Sequence, residues 1–207
     1  MAKPLTDSIN ALTAYINEVT GETDDNLSDA IATLVDGYGK DGYTADDILY
    51  GPAITGHLIA PYVTRISSYA FYGRSGVTSI KADSVIDMYP RAFENCTNLQ
   101  TVDFPNLTTF IQVSGNQFHG CTKLVDVKMP KITAISANCF NGCTSLTTIS
   151  LPKCTSIGGS SFSGCTALTD IYLPNAASSY TGAPWGANNA TIHYDTQFDE
   201  NGEPVIE

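Results

Sequence analysis

The six cysteines are the side chains of this chain best suited to redox or metal chemistry. Four of them follow one another at intervals of 25, 22 and 22 residues: Cys96, Cys121, Cys143 and Cys165. Cys139 and Cys143 lie four positions apart, but no histidine or second cysteine pair completes a zinc-finger spacing. Because the spacing follows a longer repeat, we expect buried thiols that stack in a ladder. Disulfide pairing and metal binding are the alternatives.

Asp126 and Asp170 are the carboxylates whose spacing could serve general acid–base chemistry. Two repeats separate them, which places their backbones about 10 Å apart on parallel strands, near the upper limit for an inverting glycosidase. No apolar pocket is evident in which one of them would act as the acid. His57, His119 and His193 fall at different phases of the repeat, and no Ser–His–Asp order or phosphate-binding glycine loop is present. The sequence therefore predicts a protein that is not an enzyme and that holds no cofactor and no metal ion.

A repeat between residues 55 and 174 must position these side chains. Five phenylalanines recur at intervals of 22, 25, 22 and 22 residues: Phe71, Phe93, Phe118, Phe140 and Phe162. Aliphatic residues follow each of them after six and nine positions, and a proline follows the last four after twelve. A fixed period of this length is typical of a solenoid. Residues 146–152 have the spacing L-x-x-L-x-L, which predicts one strand per coil and parallel strands about 4.8 Å apart.

We predict an α+β repeat solenoid of the leucine-rich-repeat type, with about six coils of ~22 residues, a parallel sheet on one face and an N-terminal helical module. The predicted divisions are a helical attachment module at 1–40, a connector at 41–54, a solenoid with its C-terminal cap at 55–195, and an acidic tail at 196–207. Trp185, with Tyr180 and Tyr194 near it in sequence, is expected to cover the last coil. We expect a loose tail, although Asn201 and Gly202 suit a hairpin turn.

Two apolar stripes in the first 40 residues predict two amphipathic helices. Their apolar positions are Leu5, Ile9, Leu12, Ile16 and Val19 in the first helix, and Leu27, Ile31 and Leu34 in the second. Turn and capping residues at 20–26 separate the stripes. Because each helix is apolar on one side only, the stripes must pack on each other, on the first coil, on a partner protein or on sister copies. These stripes are the predicted attachment surface.

The net charge of −11 is unevenly distributed along the chain. Residues 1–50 hold ten acids and two bases, residues 51–180 hold six acids and eight bases, and residues 181–207 hold five acids and no base. Acidic ends around a near-neutral middle argue against binding to nucleic acid or to an anionic lipid surface. No apolar run reaches the ~20 residues that span a bilayer, and the first residues lack a signal-peptide pattern. The sequence thus predicts no nucleic-acid partner and no membrane insertion.

Two columns of polar side chains are predicted to project from the exposed face of the sheet. We call these ten residues the sheet face: Ser79, Thr101, Asp126, Thr148 and Asp170 in the first column, and Lys81, Asp103, Lys128, Ser150 and Tyr172 in the second. Hydroxyl groups suit hydrogen bonding to sugars, and Tyr172 is the only aromatic platform in these columns. The alternating charges of Lys81, Asp103 and Lys128 suit cross-strand pairs instead, which predicts a solvated face without a ligand. Both interpretations are open at this point.

The repeated pattern Phe-x-x-Cys-Thr-x-Leu-x-x-Ile-x-Leu-Pro resembles the BspA-like leucine-rich repeats of bacterial surface antigens. The resemblance covers about 120 residues, and it implies a protein- or glycan-binding surface rather than catalysis. Residues 16–39, with Val-Thr-Gly-Glu-Thr-Asp and the run that starts at Leu27, look like a helical element of phage and prophage tail or appendage proteins of Gram-positive bacteria. The ending at 184–194 is similar to solenoid caps in such proteins.

These resemblances, together with the missing signal peptide and cell-wall anchor, favour a non-enzymatic structural protein of a phage or prophage virion, such as a tail or head fibre. Its N-terminal helices would attach to other virion proteins, and its solenoid would bind a host surface protein or glycan. The alternative is a bacterial cell-surface adhesin that binds host protein or glycan. A homo-oligomer is compatible with a fibre role, whereas leucine-rich solenoids are often monomers.

Overall fold

The computed structural model describes residues 56–59, 63–111 and 115–205, all of which lie within the unit Ala53–Glu207. Short strands follow one another through this part of the chain: β1 Gly56–Ile59, β2 Arg65–Ile66, β3 Val77–Lys81, β4 Asp87–Met88, β5 Thr101–Asp103, β6 Thr109–Phe110, β7 Asp126–Lys128, β8 Ala134–Ile135, β9 Thr148–Ser150, β10 Ser156–Ile157, β11 Asp170–Tyr172 and β12 Thr191–His193. A 3-10 helix at Ala177–Ser179 is the one helical element in the described segments.

The strands form two rows that run along the solenoid. In the first row, β1, β3, β5 and β7 form one sheet, and β9, β11 and β12 form a second sheet. In the second row, the two-residue strands β2, β4 and β6 pair with one another, and β8 pairs with β10. Every one of these pairings is parallel, as the repeat predicts. The sequence does not predict the second row, because two-residue strands are too short to show an alternation of apolar and polar side chains.

Five phenylalanines, one from each of five successive coils, form a column of stacked rings along which the coils are aligned. We call it the phenylalanine column. The rings stack with centroid separations of 4.5, 5.4, 5.4 and 5.7 Å along Phe71, Phe93, Phe118, Phe140 and Phe162. Each phenylalanine amide donates a hydrogen bond of 2.7 to 3.0 Å to a backbone carbonyl of the next coil. Paired parallel strands lie about 4.8 Å apart, close to the separation at which aromatic rings stack well. Backbone pairing and ring stacking therefore favour the same coil spacing.

Left-handed backbone conformations lie on both sides of every phenylalanine. Two positions after each ring the φ angle is positive, and the sequence supplies residues that tolerate this: Gly73, Asn95, Gly120, Gly142 and Gly164. Two positions before each ring φ is also positive, at Tyr69, Arg91, Asn116, Asn138 and Ser160. Tyr69 and Arg91 adopt this conformation against their intrinsic preference. Their amides donate to the next coil, to Pro90 at 3.4 Å and Gly115 at 3.1 Å, and these bonds offset the strain.

The repeat cysteines form the expected ladder behind the rings. Each thiol donates to the carbonyl of the phenylalanine one coil earlier, over 2.8 to 3.2 Å: Cys96 to Phe71, Cys121 to Phe93, Cys143 to Phe118 and Cys165 to Phe140. All six cysteines are free thiols and buried. Burial raises the pKa of Cys154 and that of Cys165 to about 11. These thiols therefore stay protonated at neutral pH.

The described part of the chain is a parallel β-solenoid of about six coils rather than an α+β fold. The corners at each phenylalanine are hydrogen-bonded turns whose positive φ angles are incompatible with a continuous α-helix. The predicted repeat solenoid with its parallel sheet is therefore confirmed, whereas the described coils hold no α-helix. The predicted helical module at 1–40 and the predicted connector at 41–54 both lie outside the described residues.

Trp185 covers the last coil, as its position in the sequence predicts. The carbonyl of Trp185 accepts the amide of Phe162 at 3.0 Å, in the place that the next coil would take. The buried indole donates its Nε1 hydrogen to the carbonyl of Thr181 at 2.8 Å. Tyr180 packs edge-on against Trp185 with 6.0 Å between ring centroids, and its hydroxyl donates to the carbonyl of Cys154 at 2.7 Å. The end of the apolar column is thus shielded from solvent.

The described part of the C-terminal tail is a hairpin rather than a loose segment. Phe198 pairs with Pro204 in an antiparallel bridge, and the Val205 amide donates to the carbonyl of Gln197 at 2.8 Å. The Asp199 carboxylate accepts the amides at positions 201 and 203, both at 2.9 Å. We call residues 197–205 the C-terminal hairpin. The expected loose tail is wrong for these residues, because Asp199 closes the turn that the Asn-Gly sequence allows.

Phe140→Ala is expected to lower the free energy of unfolding by about 3–5 kcal/mol, because it leaves a cavity between two stacked rings. The lost ring lies fully buried between Phe118 and Phe162. Urea denaturation followed by circular dichroism measures the change. Tyr72→Ala removes a half-exposed ring and serves as the control, with an expected loss below about 1 kcal/mol. Equal losses in the two variants would contradict the importance of the column.

Alkylation by iodoacetamide at pH 8 is expected to be very slow for all six cysteines of the folded protein, because burial opposes formation of the reactive thiolate. In concentrated denaturant all six should react within the same incubation. Intact-protein mass spectrometry counts the added groups. Rapid alkylation of Cys143 in the folded protein would be inconsistent with a buried thiol that donates to Phe118.

Candidate functional site

The two predicted columns of the sheet face are aligned across the paired strands. The aligned sets are Ser79, Thr101 and Asp126, and Lys81, Asp103 and Lys128, in the first sheet, and Thr148 with Asp170, and Ser150 with Tyr172, in the second. Between β7 and β9 the two sheets meet without strand pairing. The sheet face is therefore one surface with an interruption between its third and fourth strands.

The sheet face is self-paired at its N-terminal end. The Lys81 ammonium lies 3.9 Å from the Asp83 carboxylate and 3.7 Å from that of Asp103. This is the cross-strand pairing that the alternating charges predict. Asp126 and Lys128 follow on β7, are exposed and form no ion pair within the described segments. The middle of the sheet face thus presents charge that the fold itself does not use.

The C-terminal end of the sheet face is engaged by residues outside the two columns. The Tyr172 ring stacks on the His193 imidazole, with centroids 4.4 Å apart and planes within 12°. His193 Nε2 lies 2.7 Å from Asp170 Oδ1, and this hydrogen bond lowers the pKa of Asp170. Ser150 donates its hydroxyl to the carbonyl of Gly202 in the C-terminal hairpin at 2.6 Å. The predicted aromatic platform is therefore covered on one side by an imidazole.

The described part of the sheet face contains no nucleophile–base pair of the kind that catalysis requires. Asp126 and Asp170 are separated by strand β9 and by the break between the sheets. Ser150 bonds to the hairpin rather than to His193. In the segments that the structure describes, no group of three histidine, cysteine or acidic side chains is arranged so that it could hold a metal ion. The arrangement offers hydrogen bonds, charge and one stacked ring for recognition.

A second cluster, on the first two complete coils, is missed by the sequence analysis. We call it the tyrosine–arginine patch, which comprises Arg65, Tyr69, Tyr72, Tyr89 and Arg91. The Arg91 guanidinium lies 5.8 Å from the centroid of the Tyr69 ring, and that of Arg65 lies 5.7 Å from Tyr89. Tyr69 and Tyr72 are 52% and 46% exposed. Tyrosine and arginine are enriched among the residues that dominate protein interfaces.

Both arginines of the tyrosine–arginine patch are also held by carboxylates. Arg65 lies 2.9 Å from Asp87, and Arg91 lies 3.0 Å from Glu94. The Glu94 carboxylate is buried and also meets His119 Nδ1 at 3.2 Å. A sequence signal existed, because Tyr69 and Arg91 occupy the same position of the repeat, two residues before successive phenylalanines. Equivalent positions on neighbouring coils must touch, so this contact could have been predicted.

The predicted attachment residues, from Leu5 to Leu34, lie outside the described residues. The predicted N-terminal docking surface therefore stays a prediction. In the segments that are described, there is no helix with the length and apolar character needed to cross a bilayer.

Comparison with models of protein families identifies the family to which the repeat belongs. A model described as a BspA type leucine-rich repeat region, in six copies, matches residues 64–183. The matched residues make up more than half of the chain and contain most of the described strands. No curated protein matches the chain significantly.

Three solved structures share the architecture. A leucine-rich repeat protein of T. pallidum (TpLRR) is 24% identical, with a TM-score of 0.58 over 67% of this chain and 69% of that one. A leucine-rich cell surface protein of Faecalibacterium prausnitzii A2-165 is 32% identical, with a TM-score of 0.55 over 64% of this chain and 36% of that one. A leucine-rich repeat protein of Bacteroides ovatus ATCC 8483 is 23% identical, with a TM-score of 0.59 over 70% and 38%. The chain thus matches little more than a third of the last two proteins.

Asp170→Asn is expected to destabilise the protein at pH 6 but not at pH 2.5. The lowered pKa of Asp170 means that its contribution is present above the ordinary value of 3.8 and is lost as pH falls through the folded value. For a partly exposed pair in a domain of this size, the melting temperature should fall by about 1–3 °C at pH 6. Asp126→Asn, on the same face without an ion pair, is the control. An equal deficit for Asp170→Asn at both pH values would show that the carboxylate charge contributes nothing.

Proposed function

Since this chain belongs to the BspA-type leucine-rich repeat family, we propose that it is a non-enzymatic binding protein that contacts a partner through its sheet face. Solenoids of this kind are quasi-one-dimensional scaffolds that present one extended surface. The fold alone does not identify a ligand, so the proposal is argued from the residues of that surface.

The observation that carries the proposal is the group of polar side chains in the middle of the sheet face. Asp126, Lys128 and Thr148 are exposed on β7 and β9, next to the half-buried Thr101 on β5. The two charged groups of β7 have no ion-pair partner in the described residues, unlike Lys81 and Asp103. Strand pairing already fixes the backbone that carries these exposed charges. The backbone therefore loses little conformational freedom when a partner binds, which suits a recognition site. We call these four residues the central face.

The ligand class that fits the central face is a polar surface of a host protein or its glycans. The face offers one carboxylate, one ammonium and two hydroxyls, and a macromolecular partner would complement them with charges and hydrogen bonds. The apolar content of the sheet face is small, which argues against a lipid or another apolar small molecule. A protein surface is favoured because the aligned strands present one extended row of polar side chains.

A bacterial cell surface is the location that the comparisons favour. The F. prausnitzii protein, 32% identical over the matched region, is itself described as a cell surface protein. None of the three solved structures is described as a phage protein. The virion role predicted from the first 40 residues therefore has no support from these relatives, and the surface adhesin is the better proposal. Antibody labelling of intact cells, set against mass spectrometry of purified particles, separates the two locations.

A binding assay with purified full-length chain tests the central face. We expect the immobilised chain to bind at least one member of a panel of extracellular glycoproteins, measured by biolayer interferometry before and after enzymatic deglycosylation. Lys128→Glu combined with Thr101→Arg should weaken that binding about tenfold or more, because both changes alter the proposed contact surface. Loss of the signal on deglycosylation would identify the glycan, and its persistence would identify the protein.

The matched control for the Lys128→Glu change is Lys123→Glu, which makes the same exchange outside the strands, at a lysine whose ammonium donates to Asn98 Oδ1 at 2.8 Å. It should bind as the unchanged chain does. Full binding by the central-face variant would contradict the proposal. If Tyr69→Ala with Tyr72→Ala abolished binding instead, the tyrosine–arginine patch would be the contact surface. Absence of binding by the unchanged chain across the panel would count against an adhesive function.

A further inference from the structure

A small socket at the edge of the sheet holds the C-terminal hairpin. Gly202 is buried against Pro130, which follows β7, and Pro152, which follows β9. The Ser150 hydroxyl donates to the carbonyl of Gly202 at 2.6 Å. We call Pro130, Pro152 and Ser150 the glycine socket. It lies where the two sheets meet without strand pairing, so the hairpin crosses the break between them.

The glycine socket excludes a side chain on the residue that it holds. A Cβ atom on Gly202 would lie 2.9 Å from Pro130 Cβ and 3.1 Å from Pro152 Cγ. Proline rings cannot swing aside as a flexible side chain would. Gly202 also has a φ angle of +83°, a conformation that favours glycine for its own sake. Shape and backbone conformation therefore select the same residue.

The C-terminal hairpin is closed by hydrogen bonds of its own. Its turn is closed internally by the Asp199 carboxylate and by the antiparallel bridge between Phe198 and Pro204. These hydrogen bonds also lower the pKa of Asp199, so the carboxylate is charged at neutral pH. A turn that is closed by its own hydrogen bonds loses less conformational entropy on docking than an open segment does, which is a property of good peptide ligands.

The charges around the glycine socket complement those of the hairpin. Lys128, Lys131 and Lys153 lie within two positions of the socket prolines, and they are three of the five lysines in residues 51–180. The hairpin presents three acids, at positions 199, 200 and 203. The electrostatic field of three lysines near the socket prolines in the sequence favours the association of an acidic occupant over that of a basic one.

We propose that the glycine socket is a peptide-recognition site, and that the C-terminal hairpin fills it as an intramolecular stand-in for an acidic glycine turn of a partner protein. The occupant seen in the structure defines the chemistry: a left-handed glycine, an acceptor carbonyl for Ser150 and flanking carboxylates. The proposal does not depend on the central face as an adhesion site, because the peptide experiment below needs no host ligand.

The test uses the full-length chain and a fluorescein-labelled synthetic peptide of residues 196–207, with fluorescence anisotropy as the readout. Gly202→Val in the protein should eject the hairpin, because the added side chain collides with both prolines. This variant is expected to bind the peptide saturably. The unchanged chain should bind it about tenfold more weakly or worse, because its own hairpin competes at a high effective concentration.

Two matched controls identify the socket. A peptide with Gly202→Val should not bind, and Ser150→Ala added to the Gly202→Val protein should weaken binding of the normal peptide severalfold. If the Gly202→Val chain does not fold, as judged by its circular dichroism melt, Asp199→Ala releases the hairpin by opening its turn without a collision. Failure of the folded releasing variant to bind the peptide would overturn the proposal. So would equal binding by released and unchanged chains, or equal binding of the glycine and valine peptides.

Discussion

The separation between neighbouring coils is the constraint on which the rest of this structure depends. Backbone pairing of parallel strands sets it at about 4.8 Å, and the phenylalanine rings stack at 4.5 to 5.7 Å in the same direction. A single coil buries too little apolar surface to offset the conformational entropy of about 22 residues. Only the stack makes each coil stable, so every residue that repeats is placed by the coils beside it.

Periodicity explains which parts of the structure the sequence predicts. Equivalent residues of successive coils must lie above one another, so the ring column, the thiol ladder and the aligned strands all follow from spacing. Trp185 was predictable for a related reason, since it directly follows Pro184, which stands where the next phenylalanine is due. The second row of strands gave no signal, because two residues cannot show a period. The first 40 residues lie outside the repeat and outside the described residues, so their predicted helices stay predictions.

Contacts between residues far apart in the chain are what periodicity misses. Ser150 meets Gly202 across 52 residues, and nothing in the sequence pairs them. The stacking of Tyr172 on His193 depends on β12, whose sequence follows the irregular cap. Both contacts remove predicted ligand-face residues from the free surface. Together with the ion pair of Lys81 and Asp103, which the alternating charges did predict, these contacts place the candidate site in the middle of the sheet face.

Residues that repeat and residues that do not repeat have different roles, and this difference indicates which positions of the solenoid determine binding specificity. Repeated residues are committed to the stack: the rings to one another, the thiols to carbonyls, and threonines such as Thr133 and Thr155 to the backbone of the preceding coil. Some residues that break the repeat, such as Asp170, are engaged by other side chains, whereas Asp126 and Lys128 form no ion pair in the described residues. Asp126 stands where the neighbouring coils have threonine, and Lys128 stands where they have aspartate and serine. The regular positions of a solenoid stabilise the stack of coils. Its irregular exposed positions are therefore the ones that distinguish one binding partner from another.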